Sequence, residues 1–387
     1  MASIAKRPNG KWRARYRDGA GREHSRHFTR KVDAQRWLDE VTTSVVTGQY
    51  VAPEAGRVTF REYAEDWRRA QVHRPTSAEK VESILRLHAY PVIGDLELRA
   101  ILPSHVQAWV KGLSTKLAPS TVAVVHGVVA GVFKAAVADR RIVVSPCEGT
   151  RLPPDHREAV VPLTVEQVRS IEAAMPHRYR ALVTLAASTG LRQGEAFGLT
   201  VDRTGIAPPS PRPTLVVDRQ LVLVNGQAPY LGPPKRRASR RDLPLPRIAA
   251  DALAAHLAAF PAEQQEIVVR DTAGRTTTET VALVFTRPSG APIRRNGFSR
   301  VWRQAVEVAG APTGSTYHDL RHFYASLLIR HGESVKVVQA RLGHATAAET
   351  LDTYSHLWPD SEDRTRLAVD SVLAAAPADS VRTGGAL

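Results

Sequence analysis

Cysteine is nearly missing from the 387 residues: Cys147 stands alone, so the chain can form no internal disulfide and a reducing, cytoplasmic setting is expected. Lysine is scarce too, with nine among the 53 basic residues, so most of the positive charge is arginine. Acids are outnumbered 38 to 53, leaving a net charge of +15, which points to a polyanionic partner. The most apolar stretch, residues 121–138, is broken by His126 and Lys134, so no membrane span is expected. There is no Gly-rich phosphate loop, no His-Glu-x-x-His and no cluster of acids spaced for magnesium, so neither a nucleotide cofactor nor a metal is expected.

The positive charge is uneven. Residues 1–31 hold ten Lys/Arg against two acids, over half of the net charge. Within them Lys11 to Arg17 alternates strictly, with Trp12, Ala14 and Tyr16 on one face and Lys11, Arg13, Arg15 and Arg17 on the other, the period of a half-buried strand. Pro8-Asn9-Gly10 and Asp18-Gly19-Ala20-Gly21 read as flanking turns, Arg22 to Thr29 as the next strand, and Lys31 to about Thr47 as a helix. Gly48 to Arg57 is a linker. Val58 to Pro146 is helical, opened by the capping box of Thr59 and Glu62. Arg151 to Arg157 is a second linker, Ile206 to Pro213 a Pro-rich loop ahead of a strand from Thr214 to Val224, and residues from Ala376 onward a tail.

The C-terminal third carries the chemistry. Gly314-Ser315-Thr316 predicts a helix start with Thr316 as N-cap and Asp319 as its capping acid, running to about Gly332. Leu320, Phe323, Tyr324, Leu327 and Leu328 form its apolar stripe, which puts His318, Arg321 and His322 on the opposite face. A second helix from Ser334 ends at Leu342-Gly343, and Thr346 with Glu349 opens a third that carries Tyr354 near its end. His318 and His322 have the spacing of a helical zinc pair, but no Glu follows the first and the chain has one Cys, so no metal site is assigned.

His318-x-x-Arg321, Gly343-His344 and Tyr354 ten residues on resemble the C-terminal signature of the tyrosine recombinases, or phage integrase family. Thr189-Gly190-Leu191-Arg192-Gln193-Gly194-Glu195 is similar to that family's first arginine segment, and Pro234-Lys235-Arg236 to Pro244 to its β-hairpin lysine motif. Phe197, Val201 and Arg236 depart from the usual residues at their positions. The resemblance implies catalytic roles for Arg192, Lys235, His318, Arg321, His344 and the nucleophile Tyr354, with Glu195 orienting them. It also implies DNA contacts for Lys11, Arg13, Arg15 and Arg17. Tyr179, Tyr317 and Tyr324 lack a Gly-His partner at the right offset.

The expected fold is multidomain α+β. Residues 1–50 form a three-stranded β-sheet plus helix that binds arm-type DNA, and 58–148 a helical core-binding domain. Residues 159–360 form a mainly α catalytic domain with a small β-sheet, and 361–387 a C-terminal helix and tail. The implied activity is site-specific cutting and rejoining of double-stranded attachment-site DNA, core and arm type, by a homotetramer through a 3′-phosphotyrosine and a Holliday junction, for a phage or mobile element. An excision-directing factor and a host DNA-bending protein are further candidate partners. A cellular dimer-resolving recombinase, a type IB topoisomerase-like enzyme and a catalytically dead DNA-binding regulator are the alternatives. The basic N-terminal segment favours the integrase over the first two, and the retained Tyr354, Lys235 and paired arginines speak against the last.

Overall fold

The computed structural model describes residues 2–17, 21–46, 50–52, 54–155, 159–206, 211–358 and 362–373. Parts of the expected second turn (18–20), of both linkers and of the Pro-rich loop (207–210), and the tail from Ala376, lie outside the described residues. The chain divides into two compact units, Met1–Arg157 and Glu158–Leu387.

The first unit opens with an antiparallel sheet of β1 (Ser3–Lys6), β2 (Trp12–Arg17) and β3 (Glu23–Phe28), in that order, with Gly10 at φ 78° in the first turn. The alternation of β2 turns Ala14 and Tyr16 inward, where they share a small core with Ala34 and Leu38 of α1 (Lys31–Val46). A helical bundle follows: α2 (Phe60–Ala70), α3 (Pro75–Ile84), α4 (Tyr90–Ile93), α5 (Pro103–Ser114) and α6 (Pro119–Ala138). Thr59 and Glu62 cap α2 reciprocally, satisfying two backbone N–H groups that a helix start leaves open. Among the described helices α6 alone is long and apolar enough to cross a membrane. Its Val122, Val125, Val129, Val132 and Phe133 are instead buried with Phe60, Trp109 and the lone Cys147 in the bundle core.

The second unit begins with α7 (Val165–Ala174), α8 (His177–Thr189) and the short α9 (Gln193–Phe197). Strands β4 (Thr214–Val217), β5 (Gln220–Val222), β6 (Tyr230–Gly232) and β7 (Arg241–Pro244), helix α10 (Arg247–Ala259) and the hairpin β8 (Gln264–Arg270) with β9 (Thr276–Ala282) come next. It closes with α11 (Arg295–Val308), α12 (Asp319–Arg330), α13 (Val335–Leu342), α14 (Ala347–Tyr354) and α15 (Glu362–Leu373). The expected single strand from Thr214 to Val224 is two strands. It breaks at Asp218-Arg219, where Asp218 accepts from Arg203 at 3.2 Å, and the halves enter different sheets. β4 pairs with β7, whereas β5 joins a four-stranded sheet in the order β5-β6-β8-β9, in which β6 and β8 run parallel.

Candidate active site

The last three helices bring the C-terminal motifs together. α12 starts two residues later than the sequence predicts, at Asp319. Both the backbone N–H and the Oγ1 of Thr316 donate to Asp319 Oδ2, so the expected pair of residues forms but closes a turn ahead of the helix. Ser334 caps α13, and Gly343 ends it in the left-handed conformation at φ 65°. A Cβ on Gly343 would lie 3.1 Å from Ser239 Cα, so the position combines a backbone shape favouring glycine with close approach of another segment. Thr346 caps α14, whose final residue is Tyr354.

Arg321 is not on a solvent-facing helix side, as its place opposite the apolar stripe suggested. It is 1% exposed and among the largest fully buried side chains. Its Nη1 donates to Gly190 O at 2.8 Å and its Nη2 to Leu342 O at 2.6 Å. Buried carbonyls replace the water the guanidinium gives up, and this lets a cation sit inside.

The end of α13 is the organising element. A helix leaves its last carbonyls without partners and carries partial negative charge there. Three arginines from three motifs take them in succession: Arg241 Nε to Arg341 O (2.8 Å), Arg321 Nη2 to Leu342 O and Arg192 Nη2 to Gly343 O (3.3 Å). Ser239 Oγ also donates to Gly343 O, at 3.2 Å. Beneath them lies the buried Glu195, which accepts two bonds from Arg241 (3.2 and 2.9 Å) and one from Arg192 (3.0 Å), together with the backbone N–H of Arg192. Burial pushes the Glu195 carboxyl upward, but Arg241 and Arg192 outweigh it and hold the group below its ordinary value. Burial, Arg192 and Arg241 all disfavour the charge of Arg321, whereas Glu195 favours it.

Tyr354 is 1% exposed, packed with Ala325, Ile329, Val338 and Leu342. Its hydroxyl lies 2.8 Å from His322 Nδ1. Burial raises its pKa to about 12, against the pull of the Arg321 and Arg192 cations. His344 is buried, its ring stacked on Tyr354 at 6.5 Å and its Nδ1 2.9 Å from Thr350 Oγ1; burial and then Arg321 push it down to about 4. His318 keeps an open edge to solvent, yet the protein packed round its ring, then His322, Arg321 and Arg192, push it down to about 4 as well.

Arg192, Glu195, His318, Arg321, His344 and Tyr354 thus share one site. Among the described residues Lys235 does not join it through any hydrogen bond or ion pair: it is exposed, in the connection between β6 and β7. The expected β-hairpin around it is absent, because β6 and β7 pair with different strands in different sheets. Lys11, Arg13, Arg15 and Arg17 belong to the other unit. There Arg15 and Arg17 are exposed, while Arg13 and Arg15 lie 3.0 and 3.6 Å from Glu23. Arg241, Ser239 and the contact of His322 with Tyr354 were not foreseen. The alternation of Arg241 with the apolar Leu243 along one strand was the signal that Arg241 faces inward.

Three family profiles match the chain: "Phage integrase, N-terminal domain" over residues 2–47, "Phage integrase central domain" over 59–152 and "Phage integrase family" over 234–360. The last begins after Arg192, which the geometry nevertheless joins to the residues it covers. A putative prophage phiRv2 integrase of Mycobacterium tuberculosis is 28% identical over 379 residues, covering 95% of this chain and 94% of that one. The fold is similar to that of the Tn1549 transposon integrase in complex with transposon right end DNA, with TM-score 0.66 and 19% identity over 82% of this chain and all of that one. It is also similar to a lambda integrase dimer bound to a COC′ core site, with TM-score 0.57 and 16% identity over 93% and 95% of the two chains.

Proposed function

The chain belongs to the phage integrase family, and on that premise we propose that it is a tyrosine-type site-specific recombinase that integrates a phage or mobile element into DNA inside the cell. The observation that carries the site assignment is the charge balance around Tyr354. Two guanidiniums, of Arg192 and Arg241, bond the one buried carboxylate, and a third, of Arg321, is held by carbonyls alone, so the pocket holds excess positive charge before any ligand arrives. A phosphodiester supplies the missing anion, and attack on it builds further negative charge where preorganised donors stabilise it.

In this reading Tyr354 attacks phosphorus, a 3′-phosphotyrosine forms and the 5′-oxygen leaves. Arg192, whose side chain is 31% exposed, is the accessible arm of the phosphate clamp; Arg321 sets the field from behind. His344 donates a hydrogen bond to a non-bridging oxygen, and Lys235 protonates the departing 5′-oxygen, which arginine with its very high pKa cannot do. Lys235 is exposed on its connection, so its side chain can swing toward bound DNA. The phosphotyrosine keeps the energy of the phosphodiester, and rejoining needs no nucleotide cofactor. A homotetramer on paired core sites, exchanging strands through a Holliday junction, completes the cycle, with Lys11, Arg13, Arg15 and Arg17 on separate arm-type DNA. Residues 1–50, 58–148 and 159–360 act as arm-binding, core-binding and catalytic domains.

The test is Tyr354→Phe on a nicked suicide substrate. Core-site binding persists and the covalent protein–DNA adduct on a denaturing gel disappears, while in wild type the adduct forms in EDTA. An adduct retained by the variant removes Tyr354 from the nucleophile role.

A further inference from the structure

The resemblance nominates His318 as the group that helps Tyr354 ionise, but the geometry favours its neighbour. Tyr354 is buried, so in this arrangement water is not at hand to take its proton and a protein group has to accept it. Among the described residues the hydroxyl has one hydrogen-bond partner, His322 Nδ1 at 2.8 Å. His318 makes no bond to Tyr354; it sets its ring edge-on to His322 with centroids 4.9 Å apart. A phenol whose pKa is pushed up to about 12 keeps its proton at neutral pH, and among the described residues that proton has no acceptor besides His322, to which it is donated when the ring is the Nε2–H tautomer. Nδ1 is then the acceptor, and the ring carries its own proton on Nε2.

We propose that His322 is the proton acceptor for Tyr354 in the cleavage step. The inference rests on the assignment of Tyr354 as nucleophile. As the phenolic oxygen forms its bond to phosphorus and the bond to the 5′-oxygen breaks, the phenol proton moves to His322 Nδ1 and leaves an imidazolium. The 5′-oxygen takes a separate proton from Lys235. In the reverse step the imidazolium returns its proton to the departing phenolate. His322 sits among Asp319 and Arg321 of its own helix, the His318 ring before it, and Tyr354 of α14. His344 lies on the Tyr354 ring, and His356 of the following turn is engaged by Val160 O. Burial and Arg321 lower the pKa of His322 and Asp319 raises it, so the ring is neutral and able to accept at neutral pH.

Single-turnover adduct formation by the full chain, followed from about pH 8 down through the range below the ordinary histidine pKa of about 6.5, where the lowered His322 takes up its proton, tests this. His322→Asn keeps a polar atom near the Nδ1 position but has no base. It should bind core DNA like wild type and cleave on the order of 10²-fold more slowly, the usual weight of a general base. The fall in wild-type rate on the acid side, where the ring protonates, should vanish in His322→Asn and persist in His318→Asn. A fluorinated tyrosine at position 354, with its lower pKa, should rescue His322→Asn more than wild type. Cleavage by His322→Asn within a few-fold of wild type, or loss of the acid limb in His318→Asn instead, overturns the proposal. Should His322→Asn fail to fold, ¹⁵N-histidine NMR of the wild-type protein carries the test: the Nε2–H tautomer at His322 supports it and the Nδ1–H tautomer overturns it. An adduct formed by Tyr354→Phe would sink the nucleophile assignment itself, a result separate from these.

Discussion

Arginine does opposite work in the two units. On β2 the Arg15 and Arg17 side chains stand in solvent, and the acid beside Arg15, Glu23, is itself a third exposed. Charges in that position act at a distance and are screened within about 10 Å at moderate salt. Around α13 the Arg321 and Arg241 side chains are nearly sealed off, fixed by carbonyls and Glu195. Charges held this way do not steer a ligand from afar, but they need no reorganisation when a reacting group arrives. On the proposed function, attraction and catalysis call for the same residue in different dielectrics.

Removing the acid in each region gives the widest contrast. Glu195→Ala leaves Arg241 buried without its partner and should cost roughly 3–5 kcal/mol in denaturant unfolding, as broken buried pairs do. Glu23→Ala should cost at most about 1 kcal/mol, the range of surface pairs. Equal losses would show that the arginines around α13 are no more sealed than those on β2.

Lys235 sharpens the comparison from a third position, exposed yet assigned to chemistry. Lys235→Ala should leave the unfolding midpoint unchanged and slow cleavage by about 10²-fold. A 5′-bridging sulfur, which leaves without a proton, should restore the rate. Arg192→Ala should gain nothing from the sulfur; if Lys235→Ala gains nothing either, the proton comes from another group.

The smallest effect on cleavage should come from deleting residues 1–50. The truncated protein should form the core-site adduct at close to the wild-type rate and no longer bind arm-type DNA. In the full chain the logarithm of that arm-type affinity should fall steeply with the logarithm of salt, with a slope of nearly one for each phosphate that the N-terminal cations neutralise. Identical footprints and salt slopes for both proteins would reduce the N-terminal sheet to a nonspecific basic segment.

What the sequence revealed follows the range of each interaction. The caps at Thr59, Ser334 and Thr346 were legible because donor and acceptor lie three residues apart. So was the inward face of β2, which repeats every second residue. Strand pairing was not: nothing near Asp218 says that β4 and β5 part company, or that the strands flanking Lys235 find different partners. Arg321 was placed on the wrong side because an apolar stripe identifies the buried face of a helix but not a cation whose partners, Gly190 O and Leu342 O, come from elsewhere in the chain. Arg192, Glu195, His318, Arg321, His344 and Tyr354 were named through motif resemblance; Arg241, Ser239 and the carbonyls that the arginines bind were readable only in three dimensions.

The end of α13 has a thermodynamic consequence. Arg192, Arg241 and Arg321 reach the site from three separate segments and are tied to carbonyls 343, 341 and 342 of a single helical turn. That turn is closed by the bonds from Gly343 N to Ala340 O and from His344 N to Gln339 O. When it opens, all three guanidiniums lose an anchor together, so the clamp assembles as a cooperative unit with the stability of one local opening event. Amide exchange at Gly343 and His344 therefore reads the fraction of molecules whose proposed phosphate clamp is intact, without any DNA present.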